Sequence, residues 1–149
     1  MSLVLIVDDQ PAIRELLTSW ISREGYQTAR AADAEAALDE MIRCPAEVVF
    51  CDVQMPGRGG FWLADRLRER FPGTAIILAT GDGNIPPAVS MQTGVVEYLL
   101  KPFSREAVLK AVRLGLEWHL MSMAVRAKTN VRTDSIETWL AGAPGSEKV

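Results

Sequence analysis

Leu3-Val-Leu-Ile-Val-Asp8-Asp9 places five consecutive apolar residues directly before two acids. A strand covered by helices on both faces of a parallel sheet reads as a continuous apolar run, not as an alternation. The pattern recurs along the chain. Val48-Val-Phe-Cys51 runs into Asp52, Ala75-Ile-Ile-Leu-Ala79 into Thr80, and Val95-Val-Glu-Tyr-Leu-Leu100 into Lys101. Segments of helical period separate these runs, so the expected class is α/β with a parallel sheet.

The intervening segments carry their own boundary signals. Pro11 suits a first helical position, and Ile13, Leu16, Leu17, Trp20 and Ile21 share one helical face before Gly25. Residues 26–31 read as a weaker strand at the sheet edge. Asp33 can cap a helix with Ala37, Leu38, Met41 and Ile42 inward, stopped by Pro45. The turn-rich loop Gln54-Met-Pro-Gly-Arg-Gly-Gly60 precedes a helix over 61–70, with Leu63, Ala64 and Leu67 inward. A short helix is expected near 88–93, closed by Gly94, and Ser104 caps the last one. In that helix Leu109, Val112, Leu116, Leu120, Met123 and Ala127 continue one seam. Extended to Lys128 it is roughly 36 Å long. Either the whole seam packs on the sheet or its second half meets a partner helix, and length favours the second. Asp134-Ser-Ile-Glu137 resembles a capping box before a short helix ending near Gly142, followed by a polar tail. The expected division is a domain over 1–120 and a helical extension with tail over 121–149.

Composition narrows the function classes. The chain has 149 residues, 48% hydrophobic and 23% charged, which excludes disorder for most of its length. No apolar run approaches the about 20 residues of a membrane span. Sixteen basic against nineteen acidic residues give a net charge of −3, and the only basic thickening, Arg126, Lys128 and Arg132, is too thin for nucleic-acid binding. Cys44 and Cys51 form neither a disulfide framework nor a zinc spacing. With no signal peptide at Met1-Ser2-Leu3, a cytoplasmic protein with reduced thiols is expected.

Asp8, Asp9, Asp52, Thr80 and Lys101 all follow strands, and in a parallel sheet those positions share one edge. Ligands of open α/β sheets bind there. If the first and third strands are neighbours they lie about 4.8 Å apart, within reach for their acids. Converging carboxylates take up protons or a cation, and an all-oxygen set without His or Cys suits Mg²⁺. Lys101 can pair with a phosphoryl group, Thr80 offers a hydroxyl, and Gly81 an unhindered N–H. The set suits phosphoryl transfer, with a carboxylate as nucleophile. Spacing alone does not say which acid attacks. Asp52 stands singly, whereas Asp8 and Asp9 suit shared metal binding.

The chain resembles the receiver domain of bacterial two-component response regulators over about residues 2–118. The resemblance rests on Asp8-Asp9, on Asp52-Val-Gln-Met-Pro56 with Gly60, on Thr80-Gly81 and on Lys101-Pro102-Phe103. Gly83-Asn-Ile-Pro86, Ala88-Val89 and Gly94 add a likeness to receivers found on transcriptional regulators. It implies a flavodoxin-like, doubly wound five-stranded sheet in order 2-1-3-4-5 with five helices. Asp52 is then the phosphoacceptor, fed by a sensor histidine kinase. Asp9 ligates Mg²⁺ directly, Asp8 through water, and Gln54 through its backbone carbonyl. Thr80, Gly81 and Lys101 bind the phosphoryl oxygens, Thr80 and Tyr98 form the switch, and the bond before Pro102 is cis. The signal leaves through the face of the fourth helix, fifth strand and fifth helix, to a partner, a homodimer mate or an output domain. Two departures, Gln54 and a Gly at 81 where Ala is common, bear on the dephosphorylation rate.

Two other classes compete. A Mg²⁺-dependent phosphatase with an aspartyl intermediate needs a general acid/base, yet the residues two beyond Asp8 and Asp52 are Gln10 and Gln54. A phosphate-independent interaction module has no use for a complete acid pocket.

Overall fold

The apolar runs form a five-stranded sheet: β1 (Leu3–Val7), β2 (Gln27–Ala31), β3 (Val48–Asp52), β4 (Ala75–Thr80) and β5 (Val95–Leu100). The computed structural model describes residues 2–81 and 94–142, with side chains described to residue 128. All four pairings are parallel and the order is β2-β1-β3-β4-β5. This is the expected doubly wound order. β3 and β4 are buried along their whole length, which is why their sequences are apolar up to the terminal Asp52 and Thr80. β2 lies at the edge and carries Gln27 and Arg30 exposed to solvent.

Four helices are described: α1 (Pro11–Ser22), α2 (Ala34–Arg43), α3 (Gly60–Arg70) and α4 (Arg105–Gly142). Pro11 occupies the first turn of α1. The Asp33 carboxylate accepts from the Ala36 N–H at 2.7 Å and caps α2. Ser104 Oγ accepts from the Ala107 N–H at 3.1 Å at the start of α4. The short helix expected near 88–93 lies outside the described residues, as does the Gly83–Pro86 motif.

Two cores, one on each face of the sheet, hold these layers together. On one face, Leu5, Val7, Val49 and Leu78 pack with Ala37 and Met41 of α2 and Leu63 and Leu67 of α3. On the other, Val4, Ile6, Phe50 and Ile77 pack with Leu17 and Ile21 of α1 and Val108 and Val112 of α4. Gly115 lets α4 pack close on β3 and β4: a Cβ there would meet the Val48 methyls at 3.2–3.3 Å. Phe103 stands edge-on to Phe50, with centroids 5.8 Å apart, and so ties the loop after β5 to the central strand.

The chain divides into two compact units, Met1–His119 and Leu120–Val149. In the first, the half-buried Trp118 packs against the α1-side core. His119 donates from Nδ1 to the Gly73 carbonyl oxygen at 2.7 Å. In the second, the expected break after Lys128 and the separate short helix capped at Asp134 are not found, because α4 runs unbroken to Gly142. No Gly or Pro occurs between Gly115 and Gly142, so nothing in the backbone forces a stop. Leu120, Met121, Met123 and Val125 are exposed.

Candidate functional site

The β1–β3 register pairs Val7 with Cys51, which sends Asp8 and Asp52 off adjacent strand ends together. β3 and β4 pair Asp52 with Ala79, and β4 and β5 pair Thr80 with Leu100, so Thr80 and Lys101 arrive at the same edge. The Lys101 N–H donates to the Thr80 carbonyl oxygen at 2.8 Å, and the Lys101–Pro102 peptide is cis.

One carboxylate oxygen each from Asp8, Asp9 and Asp52 lies within 4.8 Å of the others. Lys101 Nζ stands across two of them, 3.2 Å from Asp8 Oδ2 and 3.4 Å from Asp52 Oδ2. Asp8, Asp52 and Thr80 are 2%, 5% and 2% exposed, whereas Asp9 and Lys101 are half-buried. Backbone groups orient the two buried acids. Asp8 Oδ1 accepts from the Gln10 N–H at 2.9 Å, and Asp52 Oδ1 from the Gln54 N–H at 3.3 Å.

Burial pushes the Asp52 carboxyl above its ordinary range; the Lys101 ammonium pulls it down and the Asp8 charge pushes it up. Burial, reinforced by Asp52 and Asp8, raises the Cys51 thiol far out of its reactive range, which makes it an inert core residue. Tyr98, itself partly buried, packs against the core on the α2/α3 side, and burial raises its phenol. Its hydroxyl is buried without a hydrogen-bond partner among the described residues.

The donor set fits a hard divalent cation. Three carboxylates with oxygens within 4.8 Å of one another, and no His or Cys among them, suit Mg²⁺. The loop after Asp52 is shaped by Gly60, where a Cβ would lie 2.5 Å from the Asp52 carbonyl oxygen. Only glycine lets α3 start this close to the acid. Gln54 is tied to the pocket by its N–H to Asp52, and Gly81 follows Thr80, exposed, after the end of β4.

Each sequence-predicted acid, Thr80 and Lys101 thus reaches one edge. Sequence reasoning missed Arg14. From α1 its Nη1 donates to the Asp8 carbonyl oxygen at 2.6 Å. The signal was a cation one turn into the helix that follows the acidic pair.

The sequence matches the response regulator receiver domain over residues 4–113. Transcriptional regulatory protein AruR of Pseudomonas aeruginosa is 39% identical over 118 residues, 74% of this chain and 48% of AruR. Transcriptional regulatory protein FixJ of Azorhizobium caulinodans is 35% identical over 114 residues, 76% of this chain and 54% of FixJ. The chain therefore spans about half the length of these relatives. Among solved structures, the receiver domain of NtrX from Brucella abortus superposes with a TM-score of 0.71 at 32% identity, covering 76% of this chain and 98% of that one. Response regulator TrrA of Thermotoga maritima, solved in complex with Mg²⁺ and BeF, gives a TM-score of 0.71 at 32% identity, covering 78% of this chain and all of that one. Among the described residues no helix is long and apolar enough to cross a membrane. With the 2-1-3-4-5 sheet and this match over most of its length, the chain belongs to the response regulator receiver domain family.

Proposed function

We propose that this chain is a phosphorylation-controlled switch in which Asp52 accepts a phosphoryl group from the phosphohistidine of a sensor histidine kinase. The observation that carries the reading is the convergence of Asp8, Asp9 and Asp52 with Lys101 at one edge of the sheet. An Asp52 oxygen attacks phosphorus as the phosphorus–nitrogen bond of the donor breaks, leaving an aspartyl phosphate and a histidine that takes up a proton. Mg²⁺, held by Asp8, Asp9, Asp52 and the Gln54 carbonyl, would neutralise charge on the group in transit. Lys101, already within 3.4 Å of Asp52, moves its ammonium onto a phosphoryl oxygen. The Thr80 hydroxyl and the Gly81 N–H donate to the others.

Thr80 and Tyr98 pass the change on. As Thr80 turns to the phosphoryl group, Tyr98 swings into the space it leaves, and its hydroxyl has no bond among the described residues to give up. The surface around β5 and the first turns of α4 is thereby reshaped. A complete shift from one state to the other requires about 5.5 kcal/mol of differential stabilisation, within reach of a few charge-assisted hydrogen bonds and an ion pair. The receiver proper spans 1–120, and 121–149 forms an extension. The output lies with a partner, a second copy or a further domain, in the cytoplasm. The chain turns over no substrate beyond its own phosphorylation and dephosphorylation.

Incubation with acetyl phosphate and Mg²⁺, read by intact mass, tests this. The wild type gains one phosphoryl group, and Asp52→Asn or removal of Mg²⁺ with a chelator abolishes the gain. No adduct on the wild type ends the switch reading, and an equal adduct on Asp52→Asn ends the assignment to Asp52.

A further inference from the structure

We propose that Arg14 of α1 is the positioning residue that fixes the Asp8–Asp9 turn for divalent-ion binding. The proposal rests on reading the pocket as a Mg²⁺-dependent phosphoacceptor site.

The three acids are not held alike. Asp8 and Asp52 are each fixed by a backbone N–H and by Lys101. Asp9 makes no hydrogen bond or ion pair with its side chain among the described residues. Its direction is therefore set by its backbone, and the first determinant of that is the plane of the Asp8–Asp9 peptide. The Asp8 N–H still belongs to the sheet, donating to the Ala31 carbonyl oxygen at 3.2 Å. The Asp8 carbonyl has left the sheet, because the β1–β3 pairing ends at Val7 and Cys51. Arg14 reaches back from α1 and donates Nη1 to that carbonyl at 2.6 Å, a charge-assisted bond on a half-buried side chain.

Arg14 is itself anchored. Its N–H donates to the Gln10 carbonyl oxygen at 3.0 Å, and its carbonyl oxygen accepts from Thr18 Oγ1 at 2.7 Å. Gln10, the residue before α1, gives no side-chain cap, and no acid stands in the first turn. Arg14 is thus a side-chain link between the helix and the acidic turn that it follows. A group that orients a ligating residue without touching the ion controls affinity through geometry.

Calorimetric titration of the full chain with Mg²⁺, paired with thermal unfolding in Mg²⁺-free buffer, tests the proposal on Arg14→Met and Arg14→Lys. Methionine keeps an apolar stem and removes every donor, whereas lysine keeps one charged donor without the planar fork. Arg14→Met is expected to raise the Mg²⁺ Kd about tenfold or more. Its acetyl-phosphate labelling slows at subsaturating Mg²⁺ and recovers at saturating Mg²⁺. Arg14→Lys recovers part of the affinity at an unchanged midpoint, and it carries the test alone if the methionine variant does not fold. A Kd within about twofold of wild type in both variants, or loss of thermal stability with no change in Kd, overturns the proposal. A wild type that neither binds Mg²⁺ nor takes the label brings down the functional reading itself. A wild type that labels beside unaltered variants brings down only the role of Arg14.

Discussion

Asp52 is held in conflict. Burial and the Asp8 charge favour its protonated form, while Lys101 and the Gln54 N–H favour its charge. Its folded-state pKa lies above the ordinary value of 3.8, so above that value the folded chain binds more protons than the unfolded one. The stability contributed by this group is complete below the ordinary value and is lost as pH rises through the folded pKa. Asp52→Asn removes the penalty of an ionised buried acid. In Mg²⁺-free buffer at neutral pH the variant is expected to melt higher than wild type by roughly 2–4 °C, about 1 kcal/mol, with the gap closing on the acid side of the carboxylate range. Thermal unfolding across pH checks this, and a variant that melts lower at neutral pH contradicts it. The acids themselves were legible because each polar residue interrupts an apolar run at a strand end. Arg14 was not, because its contact depends on a long side chain folding back along α1, and periodicity carries no such direction. Gly60 was legible only as part of a turn-rich loop; that it admits the Asp52 carbonyl is a fact of packing.

At the scale of elements, the strands and the caps at Asp33 and Ser104 follow from local signals, and the structure keeps them. α4 does not follow. Asp134-Ser-Ile-Glu137 has the pattern of a helix start, yet it falls inside a continuous helix. A capping pattern stabilises an end only where the backbone ends, and an uninterrupted run of helix-compatible residues outweighs it. Support along α4 is uneven. Val108, Ala111 and Val112 are fully buried, whereas Leu120, Met121, Met123 and Val125 are exposed. A helix without tertiary packing is marginal in water. Amide hydrogen exchange is therefore expected to show strong protection over 105–119 and fast exchange beyond 120, by about two orders of magnitude or more. Equal protection along the helix would show that a partner covers its second half.

For the whole molecule, the two cores set the fold and leave the carboxyl edge of the sheet to the acids. A ligand that binds only the folded chain adds stability by mass action, about 2.7 kcal/mol at a concentration of a hundred times its Kd. Mg²⁺ is therefore expected to raise the melting midpoint at neutral pH. Asp9→Asn, which removes a half-buried oxygen donor without disturbing the pair on Lys101, is expected to lose most of that rise. Differential scanning fluorimetry with and without Mg²⁺ measures both, and an equal rise in the variant would remove Asp9 from the ligand set.

Lys101 standing across Asp8 and Asp52 also fixes an electrical count. With the three acids ionised, one ammonium leaves the cluster two negative charges in surplus, the charge of a single alkaline-earth ion. A lone sodium or potassium ion under-fills that deficit and a lanthanide overshoots it. Valence matching, and not only the size of the opening, then discriminates among ions that share a preference for oxygen. Were the ammonium to move onto an incoming anion, Asp8 would lose its ion pair with Lys101 just as the pocket gained negative charge.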